Sequence, residues 1–225
     1  MCTLLFRRGC LFMQESITSS EYHFILRQAR NVMNGHMHAN DEDVLAAVSQ
    51  MAIERAEQSA ANLPVELSDV IRTIGTIRER EDFDRFKERL LSFVSPMAEV
   101  TDQEVKKLFP KVKNLRMPKF AEAVRKELTY LGWNDPGTNR KYIVFEEDGG
   151  LTGLYGQFRP SGKKGVCSIC SGIDETGMFL TETRHAGGET YTKRGNYICT
   201  DSMECNRRLD DRKRFDQFIG SVTNS

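Results

Sequence analysis

Four cysteines in the last third of the chain could do chemistry together: Cys167-Ser-Ile-Cys170, then Cys199 and Cys205, in the spacing C-x2-C-x28-C-x5-C. A tight turn aims two thiolates that are two residues apart at one point, which fits one edge of a zinc tetrahedron. The second pair sits just ahead of a stretch with helical periodicity, Asn206 to Ile219. A metal held between a knuckle turn and a helix start predicts a treble-clef-like finger. Four thiolates fill the coordination sphere and leave no position for water or substrate. The expectation is therefore one structural Zn2+ in a binding module. His185, between the two pairs, is an alternative ligand, but four sulfurs already suffice.

Other catalytic patterns are missing. No H-E-x-x-H, G-x-S-x-G or G-x4-G-K-[ST] occurs, and neither half of the zinc-deaminase signature is present. The acidic run Glu146-Glu147-Asp148 reads as a solvated strand end. The chain is expected not to be an enzyme; a hydrolase or transferase site between two domains is the weakest alternative.

The cysteines need a hairpin and a helix to position them, and the sequence supplies both. After Trp133 the helical period gives way to strands: Lys141 to Glu146, Leu151 to Phe158, Met178 to Thr183 and Glu189 to Ile198, with Gly149-Gly150 as a hairpin turn. Knuckle, hairpin and helix follow in treble-clef order. Upstream, Ser16 to Leu131 reads as helices. Ser19 or Ser20 caps the first, and a turn at Gly35 to Asn40 ends it. Asn40 or Asp41 caps the second, with Val44, Leu45, Val48, Met51 and Ala52 on its apolar face. A long third stretch runs from Glu66 to Phe93, with a possible break at Arg78 to Asp82. Thr101 opens a short helix through a capping box. Pro118 begins a last helix with Leu128 and Leu131 inward and Gly132 as its stop. The fold class expected is α+β: an antiparallel helical bundle over residues 13–133, then a zinc domain over residues 139–220. Residues 1–12 read as a disordered extension.

The 32 basic and 32 acidic side chains cancel. From Gly150 onward 11 Lys/Arg face 9 Asp/Glu. That balance gives no general attraction to DNA or acidic membranes, and no apolar run approaches the roughly 20 residues that span a bilayer. Six cysteines, four of them clustered, favour a reducing compartment and metal over disulfides. Binding must then come from a local surface. Tyr191, Lys193, Arg194 and Tyr197 lead into the third cysteine, and Phe215 follows the fourth. Aromatic and basic side chains together suit a protein interface or an RNA contact. An RNA-binding zinc-finger module associated with the ribosome is the alternative function.

Cys167-Ser-Ile-Cys170, Gly195-Asn-Tyr-Ile-Cys199 and Cys205-Asn-Arg-Arg-Leu209 resemble the FusB-type fusidic-acid-resistance proteins, also called elongation factor G-binding proteins. The resemblance covers roughly Met13 to Gly220. It implies a cytoplasmic, two-domain, non-catalytic protein with Cys167, Cys170, Cys199 and Cys205 as zinc ligands. It further implies binding to elongation factor G through the zinc domain, and release of the factor from ribosomes on which fusidic acid has trapped it. The region implied to meet the factor is Tyr191 to Tyr197 and the helix bearing Phe215.

Overall fold

The computed structural model describes residues 16–39, 41–60, 63–112, 115–184 and 191–223. Residues 1–12 and His185 lie outside them. The first half is helical: α1 (Ser19–His38), α2 (Glu42–Gln58), α3 (Val65–Arg72) and α4 (Arg80–Leu91). Thr18, not Ser19 or Ser20, caps α1: it accepts from the Glu21 N–H while the Glu21 carboxylate accepts from the Thr18 N–H, completing a capping box. The two serines are buried in the first turn. Gly35 does not end α1, which continues to His38.

Asp41 caps α2 by accepting from the N–H groups of Asp43 and Val44. The buried side chains of α2 are Ala52 and Ala56, whereas Val44 and Met51 are exposed. The long third stretch divides. A 3-10 turn over Thr73–Thr76 ends α3, and Asp82 draws the N–H groups of Arg78 and Glu79 into a new helix start. Tyr22, Ile25, Ala29, Leu67, Ile71, Phe83, Phe86 and Leu90 form one core among these helices, which ends at Val94.

Residues 97–131 leave the bundle. Met97, Val100, Val105, Phe109, Leu128 and Leu131 share a second core with Trp133, Tyr142 and Val144. The short helix α5 (Asp102–Leu108) therefore packs on the sheet, whereas the single turn α6 (Glu122–Arg125) buries no side chain and is tied to Met97 through Arg125. Burial divides the chain near Ser95, not at 133–139. The helix expected after Pro118 is cut to α6, because β1 (Tyr130–Asp135) takes up Leu131, Gly132 and Trp133.

Five antiparallel strands follow in the order β1-β2-β3-β4-β5, each paired with its chain neighbour. They are β1, β2 (Arg140–Glu147), β3 (Gly150–Val166), β4 (Ile173–Arg184) and β5 (Tyr191–Cys199). A register shift between Pro160 and Lys163 bends β3. The expected single last helix is two, α7 (Ser202–Arg208) and α8 (Arg212–Thr223). A third core joins α8 to the sheet through Tyr130, Phe145, Phe179, Phe215 and Phe218.

Candidate metal centre and binding face

Cys167 and Cys170 bracket the turn that joins β3 to β4, and the Ser171 N–H donates to the Cys167 carbonyl at 2.9 Å. Ser171 follows in left-handed backbone, φ 58°. Cys199 ends β5. Cys205 lies inside α7, whose start Asp201 caps by accepting from Met203 and Glu204. All four thiols are buried and lie within 4.8 Å of one another. Sγ of Cys167 is 3.7 Å from that of Cys205, and Sγ of Cys170 is 3.8 Å from that of Cys199.

Those separations identify the chemistry. A disulfide holds its sulfurs about 2.05 Å apart. A zinc tetrahedron with bonds of about 2.3 Å has edges of about 3.8 Å. The donor set thus fits one zinc ion held by four sulfurs. Two backbone N–H groups also point at the Cys167 sulfur, from Ile169 at 3.4 Å and Cys199 at 3.3 Å. Hydrogen bonds from the other three thiols, Cys170 first, hold the Cys167 thiol low, whereas the Cys205 thiol is pushed up chiefly by its hydrogen bond with Cys167. Metal binding requires all four to ionise.

The surroundings carry compensating groups that the sequence reading did not single out. Lys141 is fully buried on β2. Its Nζ donates to the Thr200 carbonyl at 2.9 Å and to Oδ1 of Asn134 at 3.1 Å. Burial lowers its pKa to about 8, while the nearby Cys205 and Cys199 thiolates oppose that fall. A buried ammonium beside a zinc tetrathiolate offsets part of the net charge of that centre. The Tyr130 hydroxyl is also buried and finds no nitrogen or oxygen partner among the described residues; burial first, and then the charge of Cys205, push its pKa up.

Asn206, next to the fourth ligand, accepts from the N–H groups of Thr129 and Tyr130 and donates to the carbonyls of Tyr130 and Ser202. Gly132 has a packing role, not a helix-stop role. A Cβ there would lie 2.5 Å from Oγ of Ser202, so only glycine lets β1 approach α7.

The expected partner residues separate on the two faces of β5. Lys193 and Tyr197 are exposed on one face, where Lys193 pairs with Glu182 at 3.4 Å and Tyr197 stands beside Met178. Arg194 and Asn196 alternate to the other face, where Asn196 donates to Ser221 on α8 at 2.9 Å. The Tyr191 side chain lies outside the described residues. Phe215 is corrected: it is fully buried and stacks on Tyr130 at 5.1 Å with an interplanar angle of 12°, so it holds α8 to the sheet and offers a partner nothing. Val166 and Ile173, paired across the base of the knuckle hairpin, are exposed instead. Two isolated apolar residues seven positions apart give no periodic signal, so the sequence alone did not show them.

Two family models divide the chain as its cores do. Residues 16–98 match the N-terminal domain of elongation factor G-binding protein, and residues 107–221 match the FBP C-terminal treble-clef zinc finger. The chain belongs to the FusB-type family. A solved structure of the fusidic acid resistance protein FusC, 28% identical, superposes with a TM-score of 0.82. The match covers 94% of this chain and 99% of that one. No protein with a curated description matches. As a FusB-type protein, the chain carries a treble-clef finger with one structural zinc. Among the described residues no helix is long and apolar enough to cross a membrane.

Proposed function

We propose that this protein binds elongation factor G and promotes its release from ribosomes on which fusidic acid has stalled it, without making or breaking a bond. The observation that carries the reading is the likeness to the fusidic acid resistance protein FusC along almost the whole of both chains, together with the match of residues 16–98 to an elongation factor G-binding domain. The ribosome is a transient partner, reached through the factor in the cytoplasm.

The contact falls on the outer face of β5, with Lys193 and Tyr197 at its centre. Tyr197 is 49% exposed although β5 is paired with β4 along one edge and tied to α8 through Asn196. Its carbonyl accepts from the Ser168 N–H of the knuckle at 2.8 Å. An aromatic side chain on a rigid, metal-braced strand loses little entropy when it docks. The action is differential affinity: the protein favours whichever conformation of the factor it binds better.

Calorimetric titration of the zinc-loaded protein into purified elongation factor G tests the reading. Saturable one-to-one binding is expected, weakened at least tenfold by Tyr197→Ala. Absence of a complex with correctly metallated protein rejects it.

A further inference from the structure

A cleft of about 700 Å3 lies between α1 and α4 on one side and the zinc knuckle with α7 on the other. Its walls carry seven arginine or lysine side chains against four carboxylates, in a chain whose total charge is zero. Both halves of the protein contribute: Arg27, Arg30 and Arg80 from the helices, and Arg207, Arg208 and Arg214 from the zinc domain.

These arginines are anchored in an ordered way. Arg27 and Arg214 converge on Asp210, and Arg207 and Arg208 converge on Glu204; Arg208 also pairs with Asp174, and Lys87 and Arg207 face Glu127, so the freer forks are those of Arg27, Arg30, Arg80 and Arg214. Arg80 is held through Nε by Asp84 at 2.9 Å. A guanidinium has five donors in a planar fork, so one edge fixed to a carboxylate leaves the remaining N–H groups for a second anion. Two forks side by side suit a phosphate, whose oxygens can accept from both.

Arg30 has no ion pair among the described residues. Its guanidinium lies 5.4 Å from the centre of the Phe83 ring, which Arg80 flanks at 6.0 Å. Planar cations presented in this way can also stack on bases.

We infer that this cleft binds the phosphodiester backbone of single-stranded RNA. An acidic peptide suits it less well, because its carboxylates can meet the forks but it brings no planar base to stack on the guanidinium groups of Arg30 and Arg80 that flank Phe83. The volume matches a few nucleotides, so the contact recognises the backbone without reading a long sequence. The site moves any RNA contact away from β5 and into the space between the two halves. It is independent of the factor-binding reading, and its test contains neither factor nor ribosome.

The experiment is fluorescence anisotropy of a labelled 12-nucleotide single-stranded RNA with the full-length zinc-loaded protein, over a range of salt concentrations. Saturable binding that weakens with salt is expected. The double variant Arg30→Gln/Arg80→Gln should bind about tenfold more weakly, and its log–log salt slope should be shallower by about 1.4, the loss of two single-strand phosphate contacts. Lys193→Gln, on β5, should bind like the parent protein. Zinc content and circular dichroism check each variant. If the double variant is misfolded, Arg30→Gln alone, which breaks no ion pair, must still reduce the slope. Parental RNA binding by a folded cleft variant overturns the inference. So does absence of RNA binding by the parent, or equal affinity for a polyglutamate peptide.

Discussion

Asn206 holds both backbone polar groups of Tyr130, accepting from its N–H at 3.2 Å and donating to its carbonyl at 3.0 Å. The residue after the last zinc ligand therefore fixes the first strand of the sheet, 76 positions earlier in the chain. Asn206→Ala removes the side-chain partner of four backbone groups: the N–H groups of Thr129 and Tyr130 and the carbonyls of Tyr130 and Ser202. A loss of about 2–4 kcal/mol is expected, since each unsatisfied group costs about 1–3 kcal/mol and relaxation recovers part of it. Urea unfolding monitored by tryptophan fluorescence checks this, because Trp133 lies on the same strand. An unchanged midpoint would show that Asn206 does not anchor β1.

Lys141→Met keeps the buried volume and removes the ammonium beside the thiolates. Lys141 bonds the carbonyl of Thr200, the residue after the Cys199 ligand, so its loss should cost up to the roughly 10–100-fold in metal affinity that supporting groups contribute. Competition with a chromophoric chelator should show zinc released at a correspondingly lower chelator concentration, with the unmetallated protein no less folded than its parent. Equal zinc retention would assign Lys141 to packing against Phe158, whose ring centre lies 4.9 Å from Nζ.

Gly132→Val forces a side chain into the contact between β1 and α7, where even a Cβ meets Ser202 and Tyr130 at 2.5 and 2.7 Å. Backbone must shift at the edge of the metal domain, so destabilisation of about 2–4 kcal/mol is expected, above the usual cost of overpacking. A thermal melt of the zinc-loaded protein measures it. A parental melting temperature would mean that the sheet edge yields freely.

How far the sequence is readable depends on whether a signal is local. The cysteine spacing and the turn chemistry of the hairpins are local, and they announce the zinc domain before any coordinates exist. The allegiance of residues 97–131 is not local. Leu128 and Leu131 fit a helical period, yet Leu131 lies in a strand because Val144 of β2 pairs with it. Phe215 has the composition of an interface residue, and only the placement of Tyr130 and Phe145 around it reveals a core residue. The cleft arginines are spread from Arg27 to Arg214, so no window of sequence contains them together.

His23 gives the protein a pH dependence with a definite sign. It is buried on α1, and its Nε2 bonds to the Glu127 carbonyl at 2.9 Å. Burial lowers its pKa, outweighing the hydrogen bond and the Glu127 charge that oppose the shift. The folded state thus favours neutral imidazole. This contribution is complete above the unfolded pKa of about 6.5 and is lost as pH falls toward the depressed folded value, with a limiting slope of about 1.4 kcal/mol per pH unit. Urea midpoints at pH 7.5 and 5.5 should differ more in the parent than in His23→Gln. Equal differences would place the acid sensitivity in another group.

The hydrogen bond between Ser19 and Thr129 at 2.8 Å joins positions 110 residues apart. Synthesis delivers chain at roughly 5–20 residues per second, so a nascent α1 waits on the order of 5–20 seconds for the segment that covers its first turn. During that interval the emerging helices present His23 and the arginines beside it without their later neighbours. The first half of this protein must therefore tolerate being finished long before its second half exists.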